Sequence, residues 1–163
     1  MVHLGAGVPG AHVGHGHLMV ADLGRAIAFY RDVIGMRVVR LYGAQAAFLS
    51  FDDYHHHLGL NTWESKGGTP PPKGHTGLYH VAFVFPDRRA LGQVIARVQD
   101  AGHTLTGAAD HGVSEAVYLN DPDGNGLELY RDRPPADWSY GSDGLLDMIN
   151  GPLDVAALVD EGR

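Results

Sequence analysis

Two stretches decide how this chain folds: HGHLMVADLGRAIAFYRDVIGM (residues 15–36) and HVAFVFPDRRALGQVIARVQDAG (residues 80–102). In each, a leading histidine (His15, His80) is followed seven residues later by an aspartate (Asp22, Asp87). An apolar pattern then recurs in steps of three and four. It runs through Leu23, Ala26, Ile27, Tyr30, Val33 and Ile34 in the first stretch, and Leu91, Val94, Ile95, Val98 and Ala101 in the second. Such spacing places one apolar stripe on each of two helices. Asp22 and Asp87 are suited to cap their N-termini, and Gly35 and Gly102 to end them. A unit repeated at this period organises the whole chain.

Working outward, each helix is followed by three strand-like segments. The first half offers residues 37–42, 46–51 and 55–62; the second offers 104–106, 115–120 and 126–131. The DPDG at Asp121–Gly124 is a turn signature. The chain therefore divides into a first strand–helix–three-strand unit at 12–63, a Pro/Gly-rich linker at 64–77, a second unit at 78–131 and a tail at 132–163. All of these belong to one domain spanning 1–163. A short helix in the tail fits residues 145–159, interrupted by Gly151 and Pro152.

Alternation along a strand sends neighbouring side chains to opposite faces. Val81, Phe83 and Phe85 then pack under a helix, while His80 points away. Leu127 and Leu129 oppose Glu128 and Tyr130; Val117 and Leu119 oppose Tyr118; Leu18 and Val20 oppose His15 and His17. Polar and ionisable groups thus collect on one face in four separate strands. His15, His80 and Glu128 offer two imidazoles and a carboxylate, a set that holds a divalent metal and leaves one side of it open. Parity does not separate His15 from His17.

Twelve Lys and Arg against nineteen Asp and Glu give a formal net charge of −7. With no basic run, this argues against a nucleic-acid partner. There are no cysteines, which excludes disulfides, thiolate ligands and a cysteine nucleophile. No signal peptide or membrane-spanning stretch is legible, so a cytoplasmic location and no membrane partner are expected. Eleven histidines direct any metal site toward imidazole and carboxylate ligands. His3, His12, His75 and His103 suggest nothing beyond exposure, and His17, Asn61 and Trp63 read as pocket wall or packing.

Residues 12–131 resemble the vicinal oxygen chelate superfamily, which includes glyoxalases, bleomycin- and fosfomycin-resistance proteins and extradiol dioxygenases. The resemblance implies an α+β fold: paired βαβββ modules forming a cupped mixed β-sheet, with helices on the outer face. It implies metal ligands at His15, His80 and Glu128, since the leading His seven residues before the helix-opening Asp is the ligand, and Glu128 lies in GNGLELY. The stretch DHGVSEAVYLNDPDGNGLELY (residues 110–130) is similar to the end of the catalytic half of type I extradiol dioxygenases. There a Tyr precedes the ligand Glu by ten residues, which Tyr118 matches, and a His precedes that Tyr, which His111 matches at a shorter spacing. HHLGLN (residues 56–61) resembles the strand carrying their acid–base His. Alignment and parity select His57, with His55 on the same face and His56 on the face of Leu58 and Leu60.

The resemblance implies Fe(II), with Mn(II) or another divalent metal as a substitute, a catechol-like aromatic substrate, O2 as co-substrate, and a homodimer. His57 would act as acid–base group, Tyr118 would hydrogen-bond a substrate oxygen and His111 would position the oxygenated species. Two features depart from the pattern. The chain has one pair of modules where typical extradiol enzymes have two. Gly59 also occupies the place that matches Glu128 in the first half, where glyoxalase I carries a carboxylate. Two other functions stay open: another metal enzyme of the superfamily, such as a lyase or thiol transferase, and a module that sequesters a small molecule. The tail fits a partner surface or a lid.

Overall fold

A computed structural model describes residues 7–163 of the chain. His3 lies outside the described residues. The first unit begins with strand β1 (Gly16–Met19) and helix α1 (Leu23–Ala28). The Asp22 carboxylate accepts a hydrogen bond from the Arg25 amide at 2.9 Å, the expected N-cap. The helix does not stay α-helical through its whole apolar stripe. From Phe29 to Ile34 it widens into a π-helical turn before Gly35 ends it in the left-handed region (φ 94°). The widened turn keeps Phe29, Tyr30 and Ile34 buried, a local geometry that a 3.6-residue period does not encode.

Strands β2 (Arg37–Tyr42), β3 (Ala46–Ser50) and β4 (Leu58–Asn61) complete the unit. The expected strand at residues 55–62 is shorter at both ends. Residues 52–57 form bends with no ladder, so His55, His56 and His57 precede the strand.

The second unit repeats the order with β5 (Val81–Val84), α2 (Arg88–Asp100), β6 (Leu105–Asp110), β7 (Ser114–Asn120) and β8 (Gly126–Asp132). Asp87 caps α2 through the Ala90 amide at 2.7 Å. Strand β6 runs four residues beyond the expected 104–106 segment, because pairing with β7 outweighs the weak strand preference of Gly107, Ala108 and Ala109. In the tail, a single 3-10 turn (Pro135–Asp137) leads to helix α3 (Val155–Gly162), capped by Asp154. Proline at 152 pushes this helix past the point where the apolar run begins.

Each unit forms a four-stranded mixed sheet, ordered β1-β4-β3-β2 and β5-β8-β7-β6, with β1 parallel to β4 and β5 parallel to β8. Among the described residues no backbone pairing joins the two sheets. Their edge strands β1 and β5 are neighbours: a Cβ at Gly16 would stand 3.5 Å from Val81. Helix-facing residues of both units merge into one core that includes Leu18, Tyr30, Leu60, Phe83, Ile95, Leu129 and Leu158. Helix α3 packs on α2 at Gly92, where a side chain would overlap the Leu158 carbonyl.

The DPDG turn does more than reverse the chain. The Asp121 carboxylate accepts hydrogen bonds from the Asp123 and Asn125 amides and from the Asn125 side chain, each at 2.9 Å. It also accepts the hydroxyl of the fully buried Tyr30 at 2.8 Å. Burial, followed by the Asp121 charge, raises the Tyr30 pKa well above its ordinary value. Asp123 accepts from the Ala21 amide (3.0 Å) and from Arg25 (2.7 Å). The turn therefore clamps the second unit onto α1 of the first. No helix among the described residues is long and apolar enough to cross a membrane.

Candidate metal and active site

The register of the two units puts the site residues at matched places. Ala82 pairs with Glu128 between β5 and β8, and His17 pairs with Gly59 between β1 and β4. On the next strand over, Tyr118 pairs with Glu128. A small residue at 82 leaves the space above it open to the Glu128 side chain. Gly126 lets β8 approach the chain just before β5, since a side chain there would overlap the Tyr79 carbonyl and crowd His80.

Four side chains follow one another on this face. His80 Nε2 lies 2.9 Å from Glu128 Oε2. Glu128 Oε1 lies 3.3 Å from the Tyr118 hydroxyl. That hydroxyl lies 2.7 Å from His111 Nε2, and His111 Nδ1 lies 2.9 Å from the Ile149 carbonyl oxygen. Burial, then the negative charge of Glu128, push the Tyr118 phenol up to about 12. His80 and Tyr118 line a cavity of ≈ 630 Å3 with Tyr79, Thr106 and Asn150.

The donor set fits a divalent metal at His80 and Glu128. Two ligand atoms each about 2.1 Å from an octahedral ion and at right angles to one another stand about 3 Å apart, which matches the 2.9 Å separation of this nitrogen and oxygen. His80 Nδ1 is buried without a hydrogen-bond partner. His15 is not in contact with this pair. Its ring lies 4.3 Å from that of His56, and among the described residues no three His, Asp or Glu side chains form a metal-sized group.

The first unit gathers a second set of imidazoles. His56 lies against His15 and also against Phe48 (5.0 Å between ring centroids), while His17 lies 6.0 Å from Phe48 and 5.6 Å from Trp63. The His17 ring covers Gly59, where an added Cβ would come within 2.8 Å of it. Burial, then His15, lowers the pKa of His17; burial, then His15 and His55, lowers that of His56.

The three consecutive histidines are arranged differently from the parity expectation. His56, assigned to the helix face, stands beside His15. His57 turns aside: its Nδ1 lies 2.9 Å from the Ser50 hydroxyl, and its ring neighbours Phe51 and Tyr54. The reason is that these residues lie in bends, where side chains do not alternate. His15 and His57 both line a second cavity of ≈ 450 Å3 between β1 and β5. His103, which suggested only exposure, packs edge-on against Phe29 at 4.9 Å. The Ile149 carbonyl had no sequence signal, being a main-chain atom remote from its partner.

Residues 11–129 match the family described as the Glyoxalase/Bleomycin resistance protein/Dioxygenase superfamily. The chain is 37% identical over 150 residues to a catechol-2,3-dioxygenase of Bacillus subtilis, covering 92% of this chain but only 52% of that protein. It thus spans about half of that relative's length. It is 31% identical to a biphenyl-2,3-diol 1,2-dioxygenase of Rhodococcus globerulus (90% and 79% covered), and 29% identical to a lactoylglutathione lyase of Haemophilus influenzae (73% and 91% covered). A glyoxalase/dioxygenase crystal structure from Nostoc punctiforme superposes with a TM-score of 0.64 over 82% of this chain and all of that one. At 20% identity, this likeness concerns the fold alone.

Proposed function

Because this chain belongs to the glyoxalase/bleomycin resistance protein/dioxygenase superfamily, we propose that it is a metal-dependent extradiol dioxygenase that opens a catechol-like ring with O2. The observation that carries this is the unbroken run from His80 through Glu128 and Tyr118 to His111. An acid–base pair next to two metal-type donors suits a substrate with two adjacent hydroxyls. The similarity to the two dioxygenases supports the same substrate class.

His80, Glu128 and His15 would hold the ion, Fe(II) by preference and Mn(II) as a substitute. His80 and Glu128 stand side by side, and the repeat register that matches His15 to His80 supports His15 as the third ligand. Bound there, a divalent metal supplies Lewis acidity toward the substrate hydroxyls and a common site for both reactants. Both oxygen atoms of O2 enter the product, and the carbon–carbon bond beside the diol breaks.

The chain's own residues handle protons and orientation. Tyr118 stays protonated at neutral pH and hydrogen-bonds a substrate oxygen next to Glu128. His111 fixes the Tyr118 hydroxyl. His56 serves as the acid–base group in place of His57. It stands beside His15, and its lowered pKa keeps the ring neutral and able to accept a proton at pH 7. Phe48 and Trp63 provide aromatic walls on the same side.

The similarity to a lactoylglutathione lyase favours a second reading, proton-transfer isomerisation at the same metal. Gly59 weighs against it, because the first unit then lacks a carboxylate opposite Glu128. Anaerobic loading with Fe(II), followed by oxygen and a panel of catechols, separates the two. Oxygen uptake with a yellow ring-fission product supports the dioxygenase. Oxygen-independent turnover of a hemithioacetal with a redox-inert metal supports the lyase. Pairing with a second copy also belongs to the proposal. It is supported by exposed apolar residues on the strands, namely Met19, Leu41, Tyr42 and Val84, and light scattering in solution tests it.

A further inference from the structure

The tail crosses the cavity wall as a strap. Tyr140 and Leu146 pair across a small hairpin. The chain then runs beside the end of β6, where three backbone hydrogen bonds hold it. The Ile149 amide donates to the His111 carbonyl (3.1 Å) and the Gly151 amide to the Asp110 carbonyl (2.8 Å), while the Asp110 amide donates to the Gly151 carbonyl (3.0 Å). Arg133 fixes the Asp110 carboxylate at 2.6 Å, and that carboxylate also accepts the Gly112 amide at 2.9 Å. The strap thus arrives at His111 in a set register, with Asn150 facing the cavity that holds His80 and Tyr118.

One contact in this arrangement has only one chemical sense. The Ile149 carbonyl oxygen, 2.9 Å from His111 Nδ1, can accept but never donate. Nδ1 therefore carries the proton. In the neutral ring Nε2 is then a bare acceptor, and it faces the Tyr118 hydroxyl at 2.7 Å. Two acceptors stand near the single phenolic proton, His111 Nε2 at 2.7 Å and Glu128 Oε1 at 3.3 Å. The shorter contact places the proton on the His111 side, leaving a Tyr118 lone pair for a donor in the cavity.

We propose that the tail strap is a positioning element that selects the Nδ1–H tautomer of His111 through the Ile149 carbonyl, so that Tyr118 and His111 together take a proton from a substrate hydroxyl. The substrate O–H donates to the Tyr118 oxygen, the Tyr118 proton moves to His111 Nε2, and the resulting imidazolium keeps its Nδ1–H bond to the strap. No electron changes hands in this step. The direction of transfer follows from the tautomer: with the proton on Nε2, His111 could only give a hydrogen bond to Tyr118. This role rests on the proposed dioxygenase site, while the tautomer itself is measurable without substrate or metal.

Long-range 1H–15N correlation spectra of the 15N-labelled full chain read that tautomer directly. Neutral His111 is expected in the Nδ1–H form, and Ile149→Ala, which keeps the carbonyl, is expected to retain it. Ile149→Pro and Gly151→Pro each remove one amide that holds the strap, and each is expected to reduce the Nδ1–H population. If one of the two fails to fold, as judged by circular dichroism, the other carries the test. With catechol, kcat should fall about tenfold in step with that loss, the scale of one hydrogen bond. Nε2–H in the unaltered protein would overturn the proposal. So would Nδ1–H persisting unchanged in both proline variants. A folded protein with the expected tautomer and no oxygen uptake with any catechol would instead overturn the dioxygenase reading.

Discussion

The imidazole of His17 covers Gly59, with three ring atoms within 2.9 Å of where a Cβ would lie. The matched pair in the other unit is Ala82 with Glu128. Each unit therefore places one bulky group and one small residue across the parallel strand pair, in opposite order. Gly59→Glu should destabilise the protein by about 1–3 kcal/mol, the scale of forcing extra atoms into a filled space. Adding His17→Ala, which copies the second unit, should recover most of that loss. Chemical denaturation of the two single variants and the double variant measures this coupling, and simple additivity would show that His17 is free to move aside.

His56 and His57 are neighbours in the chain but differ in their surroundings. His56→Gln should lower kcat by about 10²–10⁴-fold, the range for losing a general acid–base group. His57→Gln, which removes a ring bonded to Ser50, should change kcat far less. Steady-state kinetics on both variants decides which imidazole serves the reaction.

Tyr118→Phe removes the hydroxyl between Glu128 and His111 while sparing the proposed ligands. Metal content by elemental analysis should stay the same, and kcat should drop about a hundredfold. His80→Ala should instead lose the metal. Because the phenol sits at about 12, Tyr118 ionisation should leave no mark on the activity profile between pH 6 and 9.

Stability should depend on pH through His17 and His56. Both have pKa values below the ordinary 6.5 in the folded protein, so the unfolded chain binds more protons. Stability from this source is fully present above pH 6.5 and falls as pH drops below it, until the folded rings protonate as well. Melting curves from pH 7.5 to 5 should show the decline, and His56→Gln should flatten it.

Tyr30→Phe tests the clamp between the two units. It removes the buried hydroxyl bonded to Asp121, and the expected cost is about 1–3 kcal/mol. The measurement is urea denaturation, with activity assayed below the transition.

Much was legible in the sequence because it rests on periodicity. Two apolar stripes, two capping aspartates and four alternating strands specified the doubled unit. Strict alternation within β7 and β8 put Tyr118 and Glu128 on one face, and the pairing register set them side by side. The periodic properties are local, since a strand or helix sends each side chain to a face fixed by its neighbours. Tertiary structure alone decided the rest. His56 rather than His57 meets His15 because bends carry no alternation. His17 fills the space above Gly59 because two strands distant in sequence pair there. The Ile149 carbonyl reaches His111 from 38 residues away, through a main-chain atom that every residue carries and that no residue type announces.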